Sequence, residues 1–503
     1  MDLPEHIATV LGLDPAHRAL QYGGEWFTWG EVNDAAKRLD DCLVQAGIDS
    51  PVGVVIRNRP AVIAAILALL SQRRCVAVLN PMLPDATLAN SIRELRPASV
   101  LALEEDLTRP GVREAIASVG SLELSIGATV GPVDVGGRFA GQRDDFYTAA
   151  SGVAVAMLTS GTTGPPKRIP IRYRDFERAL DAHAKISGSN RHATQRLSPA
   201  TNILAVPPVN ITGMWQLISS VAVGRSLALL DRFRVDDWVR LVQEHRPRAG
   251  RIPPTAVKMV LDARPPREAL SSLKAIWSGG ARLDPEVGRQ FEDIYGIPVL
   301  QAYGSTEFAG GVATWSRSDW YDWRDTKRGS VGRPNSGVEI LTVDKETGEF
   351  LPEHESGLLV IRARYAAAND GSGWVKTNDV GRLDEDGFLW IEGRADDVIN
   401  RGGHKVHPTE VESVLGRHPA VADVAVVPLP DDRLGQVPGA LIVLASGHER
   451  PADEELASWV KQHLAPYCAP THFRYVDVIP RNAAMKTVRR QAIELLTKDG
   501  ITP

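Results

Sequence analysis

The chain of 503 residues lacks most features that mark disulfide-rich, zinc-dependent, membrane-spanning or nucleic-acid-binding proteins. Its three cysteines (Cys42, Cys75 and Cys468) fit neither a disulfide framework nor a zinc spacing, and its 12 histidines include no His-Glu-x-x-His pattern. The longest apolar run, residues 61–70, is shorter than the about 20 residues that cross a bilayer. A net charge of −5 gives no basic footprint for nucleic acid. The sequence therefore predicts no nucleic-acid partner and no transmembrane segment.

The start of the chain also lacks a charged stretch followed by an apolar one, which predicts a cytoplasmic protein. Hydrophobic content of 43% and charged content of 24% are typical of an ordinary globular protein. Single cores rarely grow beyond about 250–300 residues, so the length indicates more than one domain.

The first half of the chain alternates short apolar runs with helical patterns. Thr28 and Glu31 have the spacing of a capping box, which predicts a helix over residues 32–46. Pro60 opens a second, apolar helix over residues 61–70. Such alternation is typical of a mostly parallel sheet covered on both faces. The apolar runs that predict its strands are residues 52–56, 75–79 and 100–103.

The chain is organised around residues 157–167, which follow an apolar strand and hold four hydroxyls, two glycines and a lysine. Such a loop can direct several N–H groups at an anion such as phosphate. It is not a standard P-loop, because Pro166 stands where that pattern needs glycine before the lysine. A solvated turn after a buried strand is the alternative interpretation.

This loop resembles the phosphate-binding signature of the adenylate-forming superfamily, the acyl- and aryl-CoA synthetases, luciferases and adenylation domains. Further motifs follow in the family's order, Ser278-Gly-Gly-Ala281, Tyr303-Gly-Ser-Thr-Glu307 and Gly393-Arg-Ala-Asp-Asp397, so the resemblance covers nearly the whole chain. It is closest to the acyl-CoA synthetases. The resemblance implies an α/β fold with a large N-terminal domain of doubly wound sheets, a β-subdomain and a small, mobile α+β C-terminal domain.

The resemblance also implies the ligands and their contacts. ATP, Mg²⁺ and CoA are the expected cofactors, with Thr306 on the α-phosphate, Glu307 on Mg²⁺ and Lys486 as the catalytic lysine. The expected nucleotide contacts are Thr159, Ser160, Gly161, Thr162, Thr163, Gly164 and Lys167 in the loop, Gly279, Gly280, Ala281, Tyr303 and Gly304 at the adenine, and Asp379 and Arg394 at the ribose.

The C-terminal part is expected to supply the second half of the reaction. The resemblance divides the chain into residues 1–394, a hinge at 395–397 centred on Asp396, and a lobe over 398–503. Gly402 and Gly403 match the loop that shapes the channel for CoA. Asn378 replaces the family's glycine before Asp379, and since Asn tolerates positive φ we expect a turn there. Other departures are Arg168 and Met485, each where the family usually has glycine.

The acyl pocket is expected to include Asn210, Met214, Phe308 and Gly310. Asn210 stands where relatives have His or Asp, and an amide cannot supply the charge that pairs with an amino group, which disfavours an amino-acid substrate. Equally, Asn210 can serve only to satisfy the backbone of a local turn.

Three functional hypotheses follow. The first is an AMP-forming ligase that joins an apolar, aryl or fatty-type carboxylic acid to CoA through an acyl-adenylate. The second is an adenylating enzyme that passes the acyl group to a carrier protein or partner enzyme. The third is a catalytically weak protein that binds a nucleotide or acyl-adenylate; the presence of Thr306, Glu307, Asp379 and Lys486 argues against it.

Overall fold

The computed structural model describes residues 1–49, 51–137, 146–158, 167–187, 196–366, 373–481 and 487–497. The strands of these segments, numbered in chain order, are β1 (Arg18–Tyr22), β2 (Glu25–Thr28), β3 (Val52–Val55), β4 (Val76–Leu79), β5 (Ser99–Leu103), β6 (Leu122–Ile126), β7 (Val133–Gly136), β8 (Val153–Leu158), β9 (Arg168–Arg172), β10 (Thr201–Leu204), β11 (Ser226–Leu229), β12 (Ala249–Arg251), β13 (Ala275–Gly279), β14 (Val299–Ser305), β15 (Gly310–Thr314), β16 (Arg333–Pro334), β17 (Val338–Val343), β18 (Gly357–Ala363), β19 (Val375–Leu383), β20 (Leu389–Arg394), β21 (Ile399–Arg401), β22 (His404–Val406), β23 (Val421–Asp431), β24 (Gly435–Leu444) and β25 (His472–Tyr475).

The helices of the same segments are α1 (Leu3–Leu13), α2 (Trp29–Gln45), α3 (Pro60–Ser71), α4 (Asp85–Leu95), α5 (Glu104–Leu107), α6 (Val112–Val119), α7 (Tyr173–Ser187), α8 (Ile211–Val221), α9 (Val235–His245), α10 (Pro254–Ala263), α11 (Pro285–Tyr295), α12 (Arg317–Lys327), α13 (Pro408–Leu415), α14 (Asp453–His463) and α15 (Arg489–Thr497). Short 3-10 turns span Arg267–Leu270, Thr306–Phe308 and Pro466–Cys468. None of the helices in the described segments has the length and hydropathy needed to cross a membrane.

The first large sheet has the strand order β7-β6-β5-β3-β4-β8-β9, parallel from β6 to β8 with an antiparallel strand at each edge. Every residue of β3 and β4 is buried, as near-continuous apolar runs predict for a sheet covered on both faces. The predicted helix after Pro60 is confirmed as α3, and residues 60–70 are all buried. Thr28 and Glu31 form the predicted capping box of α2.

The second large sheet has the order β12-β13-β14-β15-β16, and its first three strands are parallel. Its core includes Trp238 of α9, Val257 of α10 and Phe291 of α11, all buried with apolar side chains of the strands. A smaller sheet has the order β10-β11-β1-β2. Because β12, β13 and β14 run in the same direction, the turns that follow them leave from one edge of the sheet.

The chain divides into two compact units. Among the described residues, the large unit holds those up to 339 together with 362–375, and the small unit holds 340–361 and those from 376 onward. In the small unit, β23, β24 and β25 pack against α13, α14 and α15, with cores that include Val411, Ile442 and Leu456. The expected α/β class with a large N-terminal and a smaller C-terminal part is confirmed. The proposed hinge at residues 395–397 stays a prediction.

The expected turn at Asn378 is wrong. Residues 376–379 lie inside β19, and Asn378 is not among the residues with positive φ. Asp379 pairs with Arg394 of β20 in an antiparallel register, so strand pairing fixes the backbone here.

Candidate active site

The structure describes the residues on either side of the predicted phosphate loop. β8 ends at Leu158, and its register partner is Arg168, the first residue of β9. Residues Thr159, Ser160, Gly161, Thr162, Thr163 and Gly164, which were expected to contact phosphate, lie outside the described residues. Lys167 is described and exposed. Arg168, in place of the family's glycine, donates from Nη1 to the Val78 carbonyl oxygen at 2.9 Å, and burial lowers its pKa.

The Ser278-Gly-Gly-Ala281 turn ends β13 beside the last residues of β14. Gly279 is the register partner of Ala302, and a Cβ at Gly279 would lie 2.8 Å from the Ala302 carbonyl oxygen. Gly280 has φ +85°, which glycine adopts at little cost. Ala281 follows and is exposed. The turn therefore presents bare backbone, which lets a planar ligand approach closely.

The Tyr303-Gly-Ser-Thr-Glu307 motif lies one strand further on, at the same edge of the sheet. Tyr303, Gly304, Thr306 and Glu307 are all half-buried. Gly304 is required by its neighbours, because a Cβ there would lie 2.1 Å from the Gly310 carbonyl oxygen. The Thr306 carbonyl oxygen accepts from the Ala309 N–H at 3.1 Å and closes the turn that carries Glu307. Carboxylate oxygen is a ligand that Mg²⁺ prefers, so Glu307 fits the expected metal role.

The expected acyl-pocket residues differ in exposure. Asn210 is the N-cap of α8, and its Oδ1 accepts from the Gly213 N–H at 3.0 Å, the local role that was the alternative interpretation. Met214 and Phe308 are wholly buried, whereas Gly310 is half-buried and has φ +147°. A Cβ at Gly310 would lie 3.7 Å from the ring of Trp215.

Sequence reasoning missed three side chains beside these residues, Trp215, His183 and Arg251. Trp215 stacks on His183, with ring centroids 6.0 Å apart, and Arg251 Nη2 lies 3.0 Å from His183 Nε2. They belong to α8, α7 and β12, which are distant in the sequence. The position of Arg251 at the end of a strand was the only available signal.

In the small unit, the expected ribose and hinge residues form one charged group. Arg394 Nε donates to Asp396 Oδ1 at 3.0 Å, and Arg394 Nη1 lies 3.6 Å from Asp379 Oδ1. Burial opposes the charge of Arg394, but the hydrogen bond to Asp396 and the nearby carboxylates raise its pKa overall. Gly402 and Gly403 form the β21–β22 turn with φ +57° and +90°, and Gly402 N–H donates to Leu434 O at 2.8 Å. Lys486 lies outside the described residues.

A second charged group in the small unit was also missed. Arg489 Nη2 lies 2.7 Å from Asp397 Oδ2, and both side chains are largely buried. Desolvation raises the pKa of Asp397, and Arg489 partly opposes the shift. Desolvation likewise raises the pKa of Glu412, whose Oε1 accepts from the Val426 N–H at 2.8 Å. Arg489 stands three residues after Lys486 in the sequence.

Comparison with known proteins agrees with this arrangement. The AMP-binding enzyme family matches residues 9–368, and the AMP-binding enzyme C-terminal domain matches residues 410–486. A 4-coumarate–CoA ligase-like protein of Oryza sativa subsp. japonica is 30% identical over 88% of this chain and 79% of its own length. A 2-succinylbenzoate–CoA ligase of Bacillus pumilus is 29% identical over 95% of each chain.

Solved structures show the same similarity. The o-succinylbenzoate CoA synthetase of Bacillus subtilis, in complex with its acyl-adenylate intermediate, has a TM-score of 0.78 at 26% identity, covering 97% of this chain and 98% of that one. The same enzyme in complex with ATP and magnesium ion has a TM-score of 0.77 at 26% identity, with the same coverage.

The fold and the glycine-rich turns at one sheet edge define an adenylate-forming enzyme. The chain belongs to the AMP-binding enzyme family. It is an AMP-forming acid–CoA ligase, which activates a carboxylic acid with ATP and Mg²⁺ and transfers the acyl group to CoA. The first of the three hypotheses from the sequence is therefore confirmed at the level of reaction class.

Proposed function

We propose that the protein ligates an aryl or similarly apolar carboxylic acid to CoA, and that the residues of the sequence motifs perform the roles which their family positions imply. The observation that carries this proposal is the register of β13 and β14, which pairs Gly279 with Ala302. This register brings the Ser278-Gly-Gly-Ala281 turn and the Tyr303–Glu307 segment to one edge of parallel strands. Ligands of α/β sheets usually bind at that edge.

In the first half-reaction, a substrate carboxylate oxygen attacks the α-phosphorus of ATP, and pyrophosphate leaves. This chemistry depends on positioning and charge neutralisation, so it needs no protein nucleophile. In the large unit, Tyr303 packs on the adenine, Thr306 binds the α-phosphate and Lys167 belongs to the phosphate loop. Glu307 holds Mg²⁺, which neutralises charge on the phosphates when bound. In the small unit, Asp379 accepts from the ribose hydroxyls, Arg394 supports it and Lys486 neutralises developing charge.

In the second half-reaction, the CoA thiol attacks the acyl carbonyl carbon and AMP leaves. Gly402 and Gly403 form the turn that we assign to this step, because two successive glycines, both with positive φ, leave the backbone of the turn without side chains. Asp396 is the proposed hinge between the conformations that serve the two steps. Replacement with proline fixes φ, so Asp396→Pro should spare only one half-reaction.

Two observations support an aryl or apolar acid. Asn210 caps a helix and offers no charge for an amino group, and the flat face of Trp215 lies beside Gly310. The relatives named for 4-coumarate and 2-succinylbenzoate are consistent with this class. We place the reaction in the cytoplasm, where the three free cysteines would remain reduced.

The test is product analysis by mass spectrometry with ATP, Mg²⁺ and a panel of aryl and fatty acids, with and without CoA. Acyl-CoA formed at the expense of acyl-AMP is the expected result. Acyl-AMP that accumulates although CoA is present would instead favour transfer to a carrier protein or partner enzyme. If no acid in the panel led to release of pyrophosphate, the proposal would be contradicted.

The role of Lys486 has its own test. Lys486→Ala should abolish adenylation but spare thioester formation from preformed acyl-adenylate, since the lysine acts only in the first step. The matched control is Lys461→Ala, which removes an exposed lysine of α14 in the same unit. Equal loss of both half-reactions in Lys486→Ala would contradict the assignment.

A further inference from the structure

Strand β15 has an irregularity opposite the segment that we assign to the nucleotide. Tyr303 is the register partner of Ala313. The next residue, Gly304, is the partner of Gly311, so Val312 is an extra residue of β15 and forms a β-bulge. A bulge interrupts the hydrogen bonds between two strands and changes the direction of the bulged one. The backbone groups of the bulge therefore need partners from outside the β14–β15 pair.

Asn335, the residue after β16, binds both carbonyl groups of the bulge. Its N–H donates to the Val312 oxygen at 2.8 Å, and its Nδ2 donates to the Gly311 oxygen at 2.9 Å. The hydroxyl of Tyr365 donates to the same Gly311 oxygen at 3.1 Å. A carbonyl oxygen has two lone pairs, so the Gly311 oxygen can accept both bonds.

Tyr365 is suited to donate this hydrogen bond at any physiological pH. Its side chain is 2% exposed, and burial raises its pKa to about 12, although a hydrogen bond with Asn335 opposes the shift. The phenol therefore keeps the proton that it donates. Asn335 and Tyr365 lie 24 and 54 residues from Gly311 in the sequence. Two separate segments of the chain thus hold one peptide group of β15.

The Gly311 peptide belongs to the hairpin whose turn carries Glu307. This turn, Thr306–Phe308, joins β14 to β15. Beside it, the Gly310 oxygen and the Gly311 Cα lie 2.1 and 2.7 Å from the position that a Cβ on Gly304 would take. Because the two strands are packed so closely, a shift of the Gly311 peptide must displace β14 or the turn that follows it.

We propose that Tyr365 and Asn335 are positioning residues for the first half-reaction, which fix the bulge of β15 so that the Glu307 carboxylate meets Mg²⁺ in the required place. They act through the Gly311 peptide, whereas Glu307 is the group that contacts the metal. A misplacement of about 1 Å can cost about a hundredfold in rate, so small shifts of this hairpin matter. The inference rests on the proposed function, because it requires Glu307 as the Mg²⁺ ligand.

The test measures how much Mg²⁺ contributes to nucleotide binding. Calorimetry gives the Kd of α,β-methylene-ATP, an analogue that cannot release pyrophosphate, with and without Mg²⁺, and the ratio of the two values is compared between variants. Tyr365→Phe and Asn335→Ala each remove one donor to Gly311 and should reduce the ratio about three- to tenfold, the range of one neutral hydrogen bond. The kcat of pyrophosphate release should fall as well. Thioester formation from preformed acyl-adenylate, which does not use the metal, should be retained.

Tyr295→Phe is the matched control, because it removes another buried tyrosine hydroxyl of the large unit that donates to a backbone carbonyl. This hydroxyl donates to the Pro265 oxygen at 3.3 Å, and Tyr295 ends α11 shortly before the opposite end of β14. The ratio should not change in this variant. Glu307→Gln is the reference for loss of the metal contact itself, and it should reduce the ratio most.

The outcomes separate the inference from the proposed function. If Glu307→Gln reduces the ratio but Tyr365→Phe and Asn335→Ala do not, the inference is overturned and the role of Glu307 stands. An equal reduction in Tyr295→Phe would also overturn it, since loss of any buried hydroxyl would then suffice. If Glu307→Gln leaves the ratio unchanged, the proposed role of Glu307 is contradicted and the inference fails with it.

Discussion

In the large unit, the residues of the motifs that we assign to the adenine are mostly glycines in crowded turns, whereas the motif residues that we assign to the ribose, in the small unit, are charged. Gly279 and Gly304 have backbone atoms within 3 Å of the position that a Cβ would take. Arg394, by contrast, lies between two carboxylates, and Asp397 pairs with Arg489.

The difference has physical consequences. Turns in which glycines pack closely against neighbouring backbone have no ionisable group, so their geometry does not depend on pH. Their close packing leaves no room for a single added methyl group. A group of partly buried charges tolerates small changes of shape. Its contribution to the free energy of unfolding, however, depends on pH and on the presence of every charged partner. We therefore expect the large unit to be sensitive to steric changes and the small unit to charge changes and pH.

The largest effect is expected from Gly304→Ala. The new methyl group would lie 2.1 Å from the Gly310 carbonyl oxygen, so β14 and β15 must separate and displace Thr306 and Glu307. Since a misplacement of about 1 Å can cost about a hundredfold in rate, we expect kcat/KM for pyrophosphate release to fall by that factor or more. Activity within about threefold of the wild type would mean that the turn is not rigid. It would contradict the expectation that the large unit is the one sensitive to steric changes.

Asp397→Asn should have the next largest effect, on the stability of the small unit. It leaves the largely buried Arg489 without its carboxylate, which should cost about 2 kcal/mol after allowance for partial exposure. Hydrogen exchange of the β23–β24 amides measures this opening free energy. The double variant Asp397→Asn/Arg489→Gln should recover part of the loss, because no unpaired charge remains.

The control for this variant is Glu494→Gln, which breaks the exposed Arg490–Glu494 pair on the same helix as Arg489. Exposed pairs contribute little, so no measurable change in exchange is expected. Comparable losses from Asp397→Asn and Glu494→Gln would show that burial does not distinguish the two pairs.

The pH dependence of the small unit should come partly from Glu412. Burial raises its pKa above the ordinary value of 4.5, so over the window just above that value the folded state keeps a proton that the unfolded chain has lost. The free energy of unfolding must then fall as the pH rises through this window. Glu412→Gln should make the fall shallower, measured by hydrogen exchange from about pH 4 to about pH 8.

Glu454→Gln provides the control for that slope, because it removes an exposed carboxylate of α14 in the same unit. Its profile should follow that of the wild type. A Glu412→Gln profile with an unchanged or steeper fall would contradict the assigned direction of the shift.

The sequence predicted the parts of this protein that depend on local patterns. Thr28 and Glu31 form the expected capping box because both partners lie within one helical turn. The helix after Pro60 followed from an apolar run of the right length. The nucleotide motifs near Gly279 and Tyr303 were recognisable because each is contiguous in the sequence.

The errors and omissions concern long-range pairing. The turn expected at Asn378 was wrong because pairing of β19 with β20 outweighs the local preference of the residue. The cluster of Trp215, His183 and Arg251 was missed because its members come from three elements, and no periodicity links them. Asp397 and Arg489 are more than ninety residues apart, so only the fold of the small unit brings their charges together.

The smallest effect is expected from Gly348→Ala in the small unit, which separates the two properties of glycine. Gly348 has φ +73°, but no atom lies within 4 Å of the position of a Cβ, so the substitution meets strain without a clash. It should cost about 1 kcal/mol in the opening free energy of the small unit and leave kcat/KM unchanged. Hydrogen exchange and pyrophosphate release measure the two. If Gly348→Ala reduced kcat/KM as much as Gly304→Ala, the effect at Gly304 could no longer be attributed to crowding against Gly310, because backbone strain alone would suffice.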